Sequence, residues 1–237
     1  MSRLRGILLD VDGTLIDSND AHARSWEDTF REFGLDIPAS RIRPLIGMGG
    51  DKLVPELTGV EVDSARGKAF TSRRSEIFKK TYLPTIHAFP RVHDLLARWK
   101  ADGLRLVVAT SAQREELNAL LEQAGLDELI DRTTSSSDAE RSKPDPDIIQ
   151  AALERGHLDA AEAIMLGDTP YDVAAATRAG INTIALRCGG WDDDALRGAI
   201  AIYDDPSALL AGYESSPFLA AASSRDVSPR TTRTETV

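Results

Sequence analysis

Four short apolar runs constrain this chain more than anything else in it: Arg5–Asp10 (RGILLD), Leu104–Thr110 (LRLVVAT), Ala163–Gly167 (AIMLG) and Ile181–Leu186 (INTIAL). Periodicity alone does not separate a short buried strand from a buried helix. Their length and β-branched content favour strands covered on both faces. Arg132–Ser135 and Ala199–Tyr203 are weaker candidates of the same kind. Between the runs lie helical stripes. Val92, Leu95, Leu96 and Trp99 keep an i, i+3, i+4, i+7 spacing, as do Leu117, Leu120, Leu121 and Ala124. Strands alternating with helices predict an α/β fold, a mostly parallel sheet with helices on both faces.

One stretch breaks the alternation. From about Asp17 to Pro84 the chain has helical patterning and no convincing strand, with Trp26, Phe30 and Phe33 on one stripe and Ala69, Ile77 and Phe78 supporting a later helix. This predicts a helical module inserted after the first strand. The expected division is a core of residues 1–16 and 85–213, an inserted unit of residues 17–84, and a tail of residues 214–237. The passages near Leu15–Ser18 and Tyr82–Phe89 would act as hinges, and a module beside the strand ends is placed to act as a lid. The tail is rich in Ser and Thr and is expected to be disordered from about Ser223.

Composition narrows the function. The formal charge of −10 argues against a nucleic-acid or anionic-membrane surface. In the tail, three acids are offset by three arginines, so the acidity belongs to the body. No run approaches the roughly 18 apolar residues that span a bilayer, the first residues read as a strand rather than a leader, and the single cysteine, Cys188, excludes an intramolecular disulfide. A cytoplasmic location is the expectation.

The strand ends carry the chemistry, since ligands of an open parallel sheet bind at the carboxyl ends of its strands. The first run ends in Asp10-Val11-Asp12-Gly13-Thr14, the second in Thr110-Ser111, and the third in Gly167-Asp168-Thr169-Pro170-Tyr171-Asp172. Lys143, in Ser-Lys-Pro-Asp-Pro, can join them from a loop. Four carboxylates in one crevice repel one another and call for a divalent cation. All-oxygen donors without His or Cys favour Mg²⁺ over Zn²⁺, and Mg²⁺ commonly shares its shell with a substrate phosphate. Spacing by two on an extended chain points Asp10 and Asp12 to one side.

These motifs, Asp-Val-Asp-Gly-Thr-Leu, a strand-terminal Thr, Lys-Pro-Asp-Pro and Gly-Asp-Thr-Pro-Tyr-Asp in that order, resemble the four motifs of the haloacid dehalogenase superfamily over about residues 4 to 205. The helical insert is similar to the cap of its phosphoglycolate phosphatase and β-phosphoglucomutase branch. The resemblance implies a Rossmann-like core with an all-helical cap domain. It also implies a Mg²⁺-dependent phosphatase that hydrolyses a small phosphorylated metabolite through an aspartyl-phosphate. Asp10 matches the nucleophile and Asp12 the general acid/base. Asp10, the Asp12 carbonyl and Asp168 match the metal ligands, with Asp172 as the second acid of the last motif. Thr110, Ser111 and Lys143 match the phosphoryl-binding groups. An acid at position 12 points to phosphate esters, because the dehalogenases lack it.

Within that resemblance His22, ten residues after Asp12, matches a histidine that helps couple cap closure to acid/base action in the mutases. The glycine-rich stretch Leu45–Lys52, with Gly49, Gly50 and Lys52, resembles the loop that reads the substrate and could present amides to an anion. Gly50 stands where the mutases carry an arginine for a second phosphate, with Arg73 and Arg74 as possible substitutes. A sugar-phosphate mutase and a non-catalytic phosphometabolite-binding protein remain the alternatives.

Simpler readings stand beside these. Asp-Gly-Thr is a turn sequence, Asp168 could cap a helix, and Lys143-Pro144 could open an exposed one. Asp192-Asp193-Asp194 reads as a solvated helix start and Cys188 as packing. His87, His93 and His157 share no ligand spacing.

Overall fold

The computed structural model describes residues 4–218. The chain runs β1 (Gly6–Leu9), then α1 (Asn19–Glu32), α2 (Ala39–Ile42), α3 (Gly50–Thr58) and α4 (Ala65–Ile77), before α5 (Val92–Ala101) returns it to the sheet. There follow β2 (Arg105–Ala109), α6 (Arg114–Ala124), β3 (Arg132–Thr134), α7 (Asp147–Gly156), β4 (Ala163–Gly167), α8 (Pro170–Arg178), β5 (Asn182–Leu186), β6 (Ala201–Tyr203) and α9 (Pro206–Ala211). All six strands expected from the apolar runs form. They make one sheet in the order β3-β2-β1-β4-β5-β6, and every pairing is parallel.

The pleat explains why the strands read as continuous apolar runs. Ile7, Leu9, Leu106, Val108, Ile164 and Leu166 face one side, where Leu95, Leu96, Trp99, Leu117, Leu120 and Leu121 cover them. Leu8, Val107, Ala109 and Met165 face the other, under Ile148, Ile149, Ala152, Ala175 and Ala176. Alternate residues go to opposite faces, and both faces are roofed by helices, so the two central strands, β1 and β4, carry no polar side chain.

The residues between β1 and α5 pack on themselves. Trp26, Phe30, Ile37, Ile42, Ile46, Leu53, Val54 and Phe70 form a separate apolar cluster, with Phe70 set edge-on against both Phe30 and Phe33. The two passages joining this helical insert to the sheet run side by side. Asp17 N–H donates to the His87 carbonyl and Phe89 N–H to the Leu15 carbonyl, at 3.1 and 2.9 Å.

Two expectations need correction. Asp192–Asp194 do not open a helix. Residues 193–196 form a turn in which Asp192 accepts from Ala195 N–H and Asp193 pairs with Arg187. Nor does the chain leave the core at residue 213. Phe218 is fully buried against Trp99, ring centroids 5.0 Å apart, and Tyr213 lies 6.4 Å beyond. One aromatic side chain suffices for this, without the periodic pattern that a sequence search looks for. The disorder expected from about Ser223 lies outside the described residues. We expect Phe218→Ala to lower the unfolding free energy by about 3 kcal/mol or more, measured by chemical denaturation.

Candidate active site

Sheet order places the site. β1 and β4 are neighbours, yet the chain visits β2 and β3 on one side before crossing to β4 on the other, which opens a crevice at their carboxyl ends. Asp10 and Asp168 each follow one of these strands directly, and Asp10 N–H donates to the Leu166 carbonyl at 2.9 Å. Asp172 arrives from the first turn of α8. Carboxylate oxygens of Asp10, Asp168 and Asp172 lie within 4.8 Å of one another, and all three residues are buried.

Local structure holds each carboxylate. Thr169, not Asp168, caps α8: its hydroxyl accepts from Asp172 N–H, while Asp172 Oδ2 accepts from Thr169 N–H and Oγ1. Asp168 is thereby free to face the crevice, where Oδ1 accepts from Thr14 Oγ1 at 2.8 Å and Oδ2 from Asn19 Nδ2 at 3.0 Å. Gly13 turns the chain with φ +82°, and a Cβ there would fall 1.9 Å from Asn19 Nδ2 and 2.3 Å from Asp168 Oδ2. Only glycine fits.

Lys143 is fully buried rather than sited at an exposed helix start. Its ammonium is 2.5 Å from Asp10 Oδ1 and 2.7 Å from Asp172 Oδ1. The contact to Asp172 is out of line for a hydrogen bond, so that buried oxygen has an ion pair but no donor. One ammonium thus faces three carboxylates. Burial, only partly offset by Lys143, pushes Asp10 well above the usual carboxylate range. Burial and the charge of Asp172 push Asp168 up to about 7. The converging carboxylate oxygens, the all-oxygen donor set and the missing positive charge fit a hard divalent cation such as Mg²⁺.

Asp12 lines the same pocket as Asp10, but its carboxylate is outside the metal cluster. β1 has ended, and Asp12 turns to α1. Asp12 Oδ1 accepts from Ser18 Oγ at 2.5 Å and pairs with His22 Nε2 at 2.6 Å. Ser18 occupies the position before α1 without capping it, because its hydroxyl is turned to Asp12. Burial raises Asp12, but His22 and Ser18 outweigh it and hold the group below its ordinary range. Arg74 contacts His22 Nδ1. A guanidinium only donates, so the ring proton sits on Nε2 and points at Asp12.

Thr110 and Ser111 line the pocket beside Asp10, and Ser111 Oγ accepts from Lys143 N–H at 3.4 Å. The cap residues depart from expectation. Gly49 and Gly50 line the pocket, but the Gly49 N–H is spent on Ser142 Oγ at 3.1 Å. Lys52 does not reach the pocket. Its ammonium is held by Asp145 Oδ2 at 2.5 Å and the Ser142 carbonyl at 2.7 Å, which ties the loop to the core. Arg73 is turned outward to Glu32 and Glu76. Arg74 does line the pocket, already paired with Glu116.

Asn19 and Glu116 were not foreseen. An Asn beginning a helix, or a Glu in Arg-Glu-Glu, looks locally like a cap or a solvated face, and neither carries a local sign of its partner. Cys188 packs as expected, with Sγ donating to the Gly13 carbonyl at 3.2 Å; burial and nearby Asp168 push its thiol far up. No helix among the described residues is long and apolar enough to cross a membrane.

Residues 7–186 match the family model described as haloacid dehalogenase-like hydrolase. The phosphoglycolate phosphatase of Rhodospirillum rubrum is 31% identical over 216 residues, 86% of this chain and 89% of that protein. Pyrophosphatase PpaX of Bacillus velezensis is 30% identical over 185 residues, 78% of this chain and 83% of its own. Among solved structures, a hydrolase from Pseudomonas syringae superposes with TM-score 0.83 at 25% identity, covering 89% of this chain and 98% of that one. CbbY from Rhodobacter sphaeroides, in complex with phosphate, superposes with TM-score 0.73 at 26% identity, covering 89% and 99%. With the strand-end carboxylates in place and a match over most of its length, this chain belongs to the haloacid dehalogenase-like hydrolases.

Proposed function

We propose that the chain is a Mg²⁺-dependent phosphatase that hydrolyses a small phosphorylated metabolite through a phosphoryl group carried on Asp10. The observation that supports this most is the pairing of two carboxylates in one pocket with opposite surroundings. Asp10 is buried against Lys143 and Thr14, whereas Asp12 is held by a hydroxyl and an imidazole. Asp10, inside the carboxylate cluster, is placed as the nucleophile, and Asp12, outside it with one oxygen free, as the proton carrier.

In this reading Asp10 attacks phosphorus, and its ion pair with Lys143 holds the carboxylate in place. Asp12 gives a proton to the departing alcohol and then takes one from the water that attacks the phospho-Asp10. Its Oδ1 is engaged by Ser18 and His22, which leaves Oδ2 without a hydrogen-bond partner among the described residues and available for that proton. Thr110 and the Ser111 amide hold phosphoryl oxygens, and Lys143 offsets their charge as the bond to the leaving group loosens. Asp10, the Asp12 carbonyl and Asp168 would hold Mg²⁺, with Asp172 behind. When bound, the cation neutralises charge on the carboxylates and the phosphoryl oxygens. Relatives named for phosphoglycolate and pyrophosphate support phosphate chemistry.

Asp10→Asn is nearly isosteric, so it should fold and lose phosphate release by at least about a thousandfold; full activity would overturn the mechanism. A burst of acid-stable label on wild-type protein, absent from the variant, locates the phosphoryl group. Lys143→Met removes the one ammonium from three buried carboxylates and should cost about 3 to 5 kcal/mol of stability, read by denaturant titration. Millimolar Mg²⁺ should raise the melting temperature of the wild type, and Asp168→Asn should abolish that rise.

A further inference from the structure

The space above Asp10 is about 100 Å³, walled on the cap side by Trp26, Ile46, Met48 and Leu53. Arg74 is the one Lys or Arg among the described residues lining it. Its donors are already committed. Nη1 donates to Glu116 Oε1 at 2.8 Å and Oε2 at 2.6 Å, Nε donates to Ser25 Oγ at 3.1 Å, and Nη2 contacts His22 Nδ1. Four of the five guanidinium N–H groups are spent, so no fork remains to take two oxygens of a carboxylate or phosphate.

The guanidinium is also fixed in place. It lies over the rings of Phe78 and Trp26, 4.7 and 5.6 Å from their centroids, and both it and Glu116 are largely shielded from water. Releasing it to an incoming anion would strand the Glu116 carboxylate beside that anion, a buried like-charge contact. Among the described residues no other cation stands ready. A larger space of about 330 Å³ continues outward past Thr71 and Gln113, and its one cation, exposed Lys68, shares it with Asp51, Asp63 and Glu140.

We propose that Glu116 sets the substrate class of this site: by neutralising Arg74 it restricts the pocket to phosphate monoesters whose alcohol carries no second negative charge. The inference rests on the phosphatase reading above and deepens it. A small alcohol bearing hydroxyls fits the polar groups that remain, the Ser75 hydroxyl and the Gln113 amide, while the Thr71 hydroxyl donates to the Gly67 and Lys68 carbonyls and can only accept. A bisphosphate, a pyrophosphate or a phosphorylated carboxylic acid would need a cation that Glu116 already holds. Neutralising the partner should therefore widen specificity rather than merely lower activity.

Three esters of matched length separate charge from size: 2-hydroxyethyl phosphate, 2-phosphoglycolate and O-phosphoethanolamine. With Mg²⁺, the wild type should hydrolyse the hydroxyethyl ester, whose alcohol is uncharged, with kcat/KM about tenfold or more above that of 2-phosphoglycolate. Glu116→Gln should shift that ratio toward 2-phosphoglycolate by about tenfold, and Glu116→Asp, which keeps the charge, should leave the wild-type order. A wild type that prefers 2-phosphoglycolate, or a folded Glu116→Gln variant with an unchanged ratio, overturns the proposal. Should no ester release phosphate, the phosphatase reading fails, and calorimetric binding of the same esters to the Mg²⁺-loaded protein decides the charge question separately. Tighter binding of the hydroxyethyl ester upholds it, and tighter binding of 2-phosphoglycolate overturns it.

Discussion

Three carboxylates drawn together by the β1–β4 crossover, with one buried ammonium among them, set the terms for the rest of this molecule. Parallel strands deliver Asp10 and Asp168 to adjacent ends of the sheet, and the first turn of α8 adds Asp172. Such a set is costly to bury, and the fold spends polar structure on holding it. Thr14 and Asn19 reach Asp168 from the start of the insert, Thr169 caps α8 so that Asp172 is fixed, and Lys143 is buried to meet two of the three. Gly13 exists as glycine because a side chain there would collide with this arrangement. The charge left uncompensated is what fits the crevice to a divalent cation and sets it apart from an ordinary ion-pair cluster.

One run of side chains ties the insert to that centre through Asp12. Asp12 pairs with His22, His22 Nδ1 meets Arg74, and Arg74 pairs with Glu116 on α6. Arg74 belongs to α4, so it joins the inserted helices to the core. Its guanidinium sets the tautomer of the imidazole that supports Asp12. The same contact withdraws from the pocket its one guanidinium. The setting of Asp12 and the charge left in the pocket therefore both depend on one ion pair. Lys52 with Asp145 and Ser142 makes a further tie.

Much of this was legible in the residues. Each strand is a local apolar run, and a residue placed immediately after such a run must lie at a sheet end. Asp10, Thr110 and Asp168 could thus be placed together before any coordinates. The insert showed itself by aromatic spacing at Trp26, Phe30 and Phe33. Thr169 and Asp172 show how local rules can mislead in detail: Gly-Asp-Thr announces a helix start, but which of two polar residues caps it depends on what else each can reach. Phe218 illustrates the other limit, since one ring docking on Trp99 leaves no pattern in the chain.

By itself the sequence determined the parallel α/β core, the helical insert and the convergence of the strand-end carboxylates, because these follow from periodicity and position along a strand, which are local properties. Tertiary structure alone decided which charges are free. Arg74 finds Glu116, Lys52 finds Asp145 and the Gly49 amide finds Ser142 across sequence separations of 42, 93 and 93 residues. A charged side chain will pair with any suitable partner that docking brings within reach, and that choice is made only when the insert settles on the core.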